Sequence, residues 1–198
     1  MSLSKLKSIV FIILVFAVSP VSAQVAPACQ ESSLVTDGSK TAATQTAGYP
    51  NLKIQAKVAA DAFMAADYNK FVDLVYPKIV KLAGGREALI ALVTGSMRDM
   101  EAQGLKVISY EPGEPEPAIR IDQALYAIVP ATMRAQAKVG VVRLESFMIG
   151  VSSDDGENWT FVGGAGATDE EQLRAVMPEV LGKLKIPEKK KPILERNQ

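Results

Sequence analysis

The sequence predicts an α+β fold in which a curved, mainly antiparallel sheet wraps helices. Three observations lead there. Apolar residues recur every three or four positions from residue 51 to 103, at close to every second position from 105 to 162, and again at helical spacing after 168. Helices followed by a run of strands and a closing helix is the order of an α+β domain rather than of alternating βαβ units.

Each element has its own signal. Asn51 to Ala66 is Ala-rich, with Leu52, Ala59, Phe63 and Ala66 on one stripe of a helix. Asp67 is placed to cap a second short helix that buries Phe71, Leu74 and Val75. Pro77 forces a restart before Ile79, Val80 and Leu82, because it lacks an amide donor and disfavours helix in the residue before it. After Gly84-Gly85, Arg86 to Gln103 reads as the clearest helix, with Leu89, Val93, Met97 and Met100 on its buried face and Gly104 as a left-handed cap. Plain core packing accounts for the Met pair, and Gly95 inside this helix implies a close helix contact or a bend.

Strands are expected at Leu105 to Glu111, Ala118 to Val129 with a continuation from Thr132 to Ala137, Val141 to Ser152, and Trp159 to Val162. Glu111 to Pro117 is a Pro-rich loop whose three carboxylates read as a solvated edge rather than a metal site, and Pro130 marks a bend or bulge. Ser152 to Trp159 has the Ser-x-Asp-x-Gly-x-x-Trp spacing of an Asp-box hairpin, in which Asp and Gly build a turn and Trp packs beneath it. The alternating oxygen ligands of a calcium loop are absent there, and the Asn158-Trp159-Thr160 sequon carries no weight without a glycosylating host. Thr168 to Leu184 is the closing helix, with Thr168 and Glu171 as a capping box, Leu173, Val176 and Met177 buried, and Pro178 truncating or kinking it. Lys189 to Lys191 reads as a solvated run.

Composition narrows the chemistry. Among 198 residues there are 22 basic and 22 acidic side chains, no His and one Cys. Ser-His and Cys-His catalysis, imidazole metal sites, zinc ribbons and internal disulfides are therefore excluded. Lys5 and Lys7, the apolar run Ile9 to Val18 and Val21-Ser22-Ala23 form an export signal that is too short to span a bilayer. Its removal at Gln24 leaves two more acidic than basic residues, so nucleic acid is not an expected partner. Pro27 spoils the lipoprotein box before Cys29, which leaves that residue a lone thiol. The predicted organisation is a signal peptide at 1–23, a disordered leader at 24–50, one domain at 51–187 and a basic tail at 188–198, in a protein exported to the periplasm or the medium.

Several segments together resemble the nuclear transport factor 2-like superfamily, which includes steroid delta-isomerase and the SnoaL-like cyclases, and are most similar to uncharacterised secreted bacterial members. They are Phe71-Val72-Asp73-Leu74-Val75-Tyr76-Pro77-Lys78-Ile79-Val80, Gly84-Gly85, Met97-Arg98-Asp99-Met100, Val129-Pro130, Ser153 to Phe161, and Ile186-Pro187 before the lysines. The likeness spans about residues 51 to 192 and rests on structural motifs, so it speaks to fold more than activity. It implies a cone-shaped fold with a pocket between sheet and helices.

In enzymes of that superfamily a wall carboxylate takes a proton while Tyr or a protonated acid polarises a carbonyl. No catalytic residue carries over here by motif. The expected ligand-binding residues are Tyr68, Tyr76, Tyr126, Arg143 and Glu145. Arg143 and Glu145 share a strand face with Phe147, Ile149 and Val151, and Tyr126 shares one with Asp122. No cofactor, metal or catalytic group is expected. The leading reading is a non-catalytic protein that binds a small apolar ligand or a protein partner. The alternatives are an isomerase or lyase with Asp122 or Glu145 as base and Tyr126 as polariser, and a module that forms a homodimer through its outer sheet face.

Overall fold

The computed structural model describes residues 48–163, 170–188 and 190–195. The predicted signal peptide, most of the leader with Cys29, Thr168 and Lys189 lie outside the described residues. Four helices come first: α1 (Pro50–Met64), α2 (Tyr68–Asp73), α3 (Pro77–Leu82) and α4 (Arg86–Ala102). Strands β1 (Lys106–Pro112), β2 (Ile119–Ile121), β3 (Ala124–Ala137), β4 (Gly140–Ser152) and β5 (Thr160–Gly163) follow. Helix α5 (Glu170–Val176), a 3₁₀ turn at Pro178–Val180 and β6 (Ile193–Glu195) complete the described chain.

The fold is α+β, with one strongly curled antiparallel sheet ordered β1-β3-β4-β5; β2 also pairs with β3 and β6 with β4. Leu125, Ala127, Val129 and Met148 lie on one face of this sheet and pack with Leu52, Ala56 and Ala59 of α1 and with Trp159 and Phe161. On the opposite face, Tyr126, Ile128, Phe147, Ile149 and Val151 join a larger cluster that holds Ile79, Leu89, Val93, Leu173, Val176, Met177 and Val180. Burying several large side chains from each element, at about 1.5–3 kcal/mol each, outweighs the weak intrinsic preference of such short helices.

Several local expectations hold. Asp67 caps α2, its side chain accepting from the Lys70 amide at 3.1 Å, and Pro77 opens α3. Gly104 (φ +80°) ends α4, with the Gly104 and Leu105 amides returning to the carbonyls of Glu101 and Met100 at 2.9 Å each. The Asp-box is a turn: Asp154 accepts from the Asn158 amide (2.9 Å) and from Asn158 Nδ2 (2.7 Å), and buried Trp159 donates Nε1–H to the Gly156 carbonyl (3.0 Å). Tyr49, assigned to the leader by sequence, packs edge-on against Trp159 at 5.5 Å.

Other expectations are corrected. Ala66 is not on the buried stripe of α1: it sits past the helix end at φ +56°, and its amide and that of Asp67 satisfy the Phe63 and Ala62 carbonyls. Gly95 makes no close helix contact, since a Cβ there would meet nothing within 4 Å. The strand expected from Ala118 to Val129 is broken by a two-residue turn at Asp122 (φ +54°) and Gln123, where Ile121 pairs with Ala124.

The β3–β4 register passes Pro130 without a shift, because Pro130 turns its missing donor away from β4: its carbonyl, on that same edge, accepts from Gly113 N at 2.7 Å. The irregularity is in β1, between Val107 and Ser109. Pro178 cuts the closing helix at Val176. Beyond the lysine run, of which Lys190 and Lys191 are exposed as expected, the tail returns to the sheet as β6, pairing with Val141–Arg143.

Candidate functional site

The five residues expected to line one site occupy three places. Tyr68 starts α2 beside Phe63 (ring centroids 6.5 Å apart), and burial together with the charge of Glu101 raises its pKa. Tyr76 and Tyr126 both lie within reach of the Glu179 charge. Arg143 and Glu145 lie farther along β4: Val151, the register partner of Tyr126, is six residues from Glu145, or about 20 Å at strand rise.

The middle place is built by packing at both ends of the 3₁₀ turn. Met177 and Val180 are fully buried, so Glu179 between them is held at the wall of the apolar cluster. The hydroxyl of buried Tyr126 donates to Glu179 Oε1 at 2.9 Å. Burial foremost, then this bond and the Glu179 charge, raise the Tyr126 pKa well above the usual phenol range. Burial and the charge of Glu179 raise that of Tyr76 as well. Both phenols therefore stay protonated at neutral pH, and the Glu179 carboxylate keeps a second oxygen. Tyr126 faces Ile119 across the β2–β3 pair, and half-buried Tyr76, Leu181 and Leu184 pack against the same cluster. This arrangement suits an apolar molecule whose polar end offers a hydrogen-bond donor.

Arg143 and Glu145 do share the face of Phe147, Ile149 and Val151, but they extend it beyond the buried half. Arg143 Nη1 donates to Glu145 Oε1 at 3.0 Å, and Lys190 Nζ reaches Glu145 Oε2 at 2.6 Å. The Lys190 bond first, then the Lys190 and Arg143 charges, lower the Glu145 pKa, which opposes a role as general base. Asp122 lies exposed in its turn. The structure thus sets Glu145 apart from Tyr126, whereas the charge of Asp122 does reach Tyr126 and adds to the rise of its pKa. Glu111 and Glu114 in the Pro-rich loop also have basic neighbours, Glu111 lying 3.9 Å from Arg134 and Glu114 pairing with Lys53.

Glu179 and Glu195 were missed by sequence reasoning. Glu179 carried one legible sign, a carboxylate after a helix-breaking proline and between two apolar residues. Glu195 carried none, because its role depends on β6 returning to the sheet. No family model, curated protein or solved structure matches the chain. Among the described residues no helix is long and apolar enough to cross a membrane.

Proposed function

We propose that this is an exported binding protein of nuclear transport factor 2-like type that holds a small, largely apolar molecule at Tyr76, Tyr126 and Glu179 without transforming it. The Tyr126–Glu179 hydrogen bond at the wall of the main apolar cluster carries the reading. Apolar surroundings supply affinity, and a few placed polar groups supply orientation. The α+β order, the curled sheet and the segments resembling that superfamily support the family assignment. Glu179 gives the site a charge preference: an alkyl amine or alcohol finds an acceptor there, whereas an alkyl carboxylate meets a like charge.

The test is thermal unfolding with n-decylamine, n-decanol and n-decanoate below their aggregation limits. The reading expects a rise in Tm with the amine and the alcohol, a smaller one with the carboxylate, and loss of that order in Glu179→Gln and Tyr126→Phe. Equal shifts for all three head groups, or shifts untouched by both substitutions, would overturn it.

A further inference from the structure

Strand β6 sits on an edge whose side chains suggest more than sheet closure. Its Ile193, Leu194 and Glu195 pair with Arg143, Val142 and Val141 of β4. Ser109, Arg134, Arg143 and Ile193 form one cross-strand row on a single sheet face. Two arginines directly opposite each other repel unless a carboxylate lies between them. Glu195 takes that place, with Oε2 3.6 Å from Arg134 Nε and Oε1 3.2 Å from Arg143 Nε.

The fit is incomplete. Arg143 Nε is buried without a hydrogen-bond partner, so its contact with Glu195 is one of charge and not of alignment; Ser109 Oγ, beside Arg134, is likewise buried and unpartnered. Buried polar groups are normally satisfied, and here two unsatisfied ones stand in the same row. The strand itself contributes little burial: it has three residues, and Ile193 and Leu194 are 46% and 44% exposed.

We propose that the β4 edge at Val141–Arg143, with Arg134 and Arg143, is a docking site for an extended peptide of another protein carrying two apolar residues followed by an acidic one. The chain's own Ile193-Leu194-Glu195 fills it as an internal plug. Once β6 leaves it, the β4 edge supplies main-chain hydrogen bonds by strand addition, and the guanidinium pair selects the carboxylate. The plug is tethered, so its effective concentration suppresses binding from outside until it is displaced. This site is separate from the tyrosine cluster and does not depend on the function proposed there.

The test uses the full chain and a fluorescein-labelled, C-terminally amidated Lys-Pro-Ile-Leu-Glu peptide followed by anisotropy. Glu195→Lys sets a cation against the two arginines and releases the plug. It is expected to bind the peptide at least about tenfold more tightly than wild type, and adding Arg143→Gln, or replacing the peptide Glu by Gln, is expected to remove that gain. Trp159 fluorescence reports from the other end of the sheet that the variant is folded, and Glu195→Gln is the milder second variant. A folded Glu195→Lys or Glu195→Gln chain that binds no peptide, or binding indifferent to Arg143→Gln, would overturn the proposal. Concentration-dependent dimers of wild type that vanish in Glu195→Lys would assign the edge to a second copy and overturn it equally.

Discussion

Replacing Gly150 with alanine tests the packing of α1 on the sheet. A methyl group there would lie 2.8 Å from Leu52 Cδ1, 3.2 Å from Trp159 Cε3 and 3.4 Å from Phe161 Cε1. All three neighbours are buried, so the only way to make room is to displace the end of Leu52 inside a filled core. Overpacking of this kind costs about 1–3 kcal/mol, offset by roughly 0.5 kcal/mol from the less flexible unfolded chain, for a net loss of about 0.5–2.5 kcal/mol. Leu52→Ala alone removes atoms from the same place and should cost about 3 kcal/mol. In the double variant the new methyl enters the space that Leu52 vacates, so the loss should fall short of the sum by about 1 kcal/mol or more. Urea unfolding followed by Trp159 fluorescence measures all four corners, and with a slope of about 2 kcal/mol/M the Gly150→Ala midpoint should drop by about 0.3–1.2 M. An additive cycle, or a neutral Gly150→Ala, would refute the packing of Leu52 against Gly150.

Three further outcomes are expected. Ala66→Gly should stabilise the chain by about 1 kcal/mol, because Ala66 holds the left-handed conformation (φ +56°) that ends α1; a lower midpoint in urea would count against that helix end. Gly95→Ala should add about 0.5–1 kcal/mol, since it lies within α4 and its Cβ would meet open space; calorimetry showing a loss would mean that a neighbour packs there. Asp154 is pulled from its ordinary 3.8 to about 2, first by the Asn158 amide and then by Asn158 Nδ2 and Ser152 Oγ. A folded-state pKa below the unfolded one means that this contribution is complete above about pH 4 and is lost as pH falls through 2. Asp154→Asn should therefore flatten the acid limb of the stability curve between those values, and an unchanged limb would contradict the assignment.

What was legible in the sequence follows from what local physics can encode. Capping at Asp67, the restart at Pro77 and the cap at Gly104 depend on one residue's backbone or donor chemistry, and each appears where expected. The Asp-box turn was equally readable, since its bonds lie within seven residues of one another. The break at Asp122 was hidden because apolar alternation continues through it, and Asp and Gln do not announce a tight turn as Asn-Gly would. Ala66 was hidden because alanine suits a helix stripe, and only the chain's reversal shows that it has left the helix.

The candidate site was legible by residue and not by assembly. Tyr76 and Tyr126 come together, but alternation along β4 fixes only the face on which Arg143 and Glu145 lie. It says nothing of where along that face the cover of α5 and the 3₁₀ turn stops. Glu179 and Glu195 arrive from segments more than 40 residues away in sequence from the side chains they meet.

Native mass spectrometry of the protein purified gently from its own host tests the central claim most directly. The account predicts a reproducible small-molecule adduct on the wild-type chain that is lost on denaturation and depleted in Glu179→Gln and Tyr126→Phe. A bare wild-type mass, or an adduct retained equally by both variants, would contradict it.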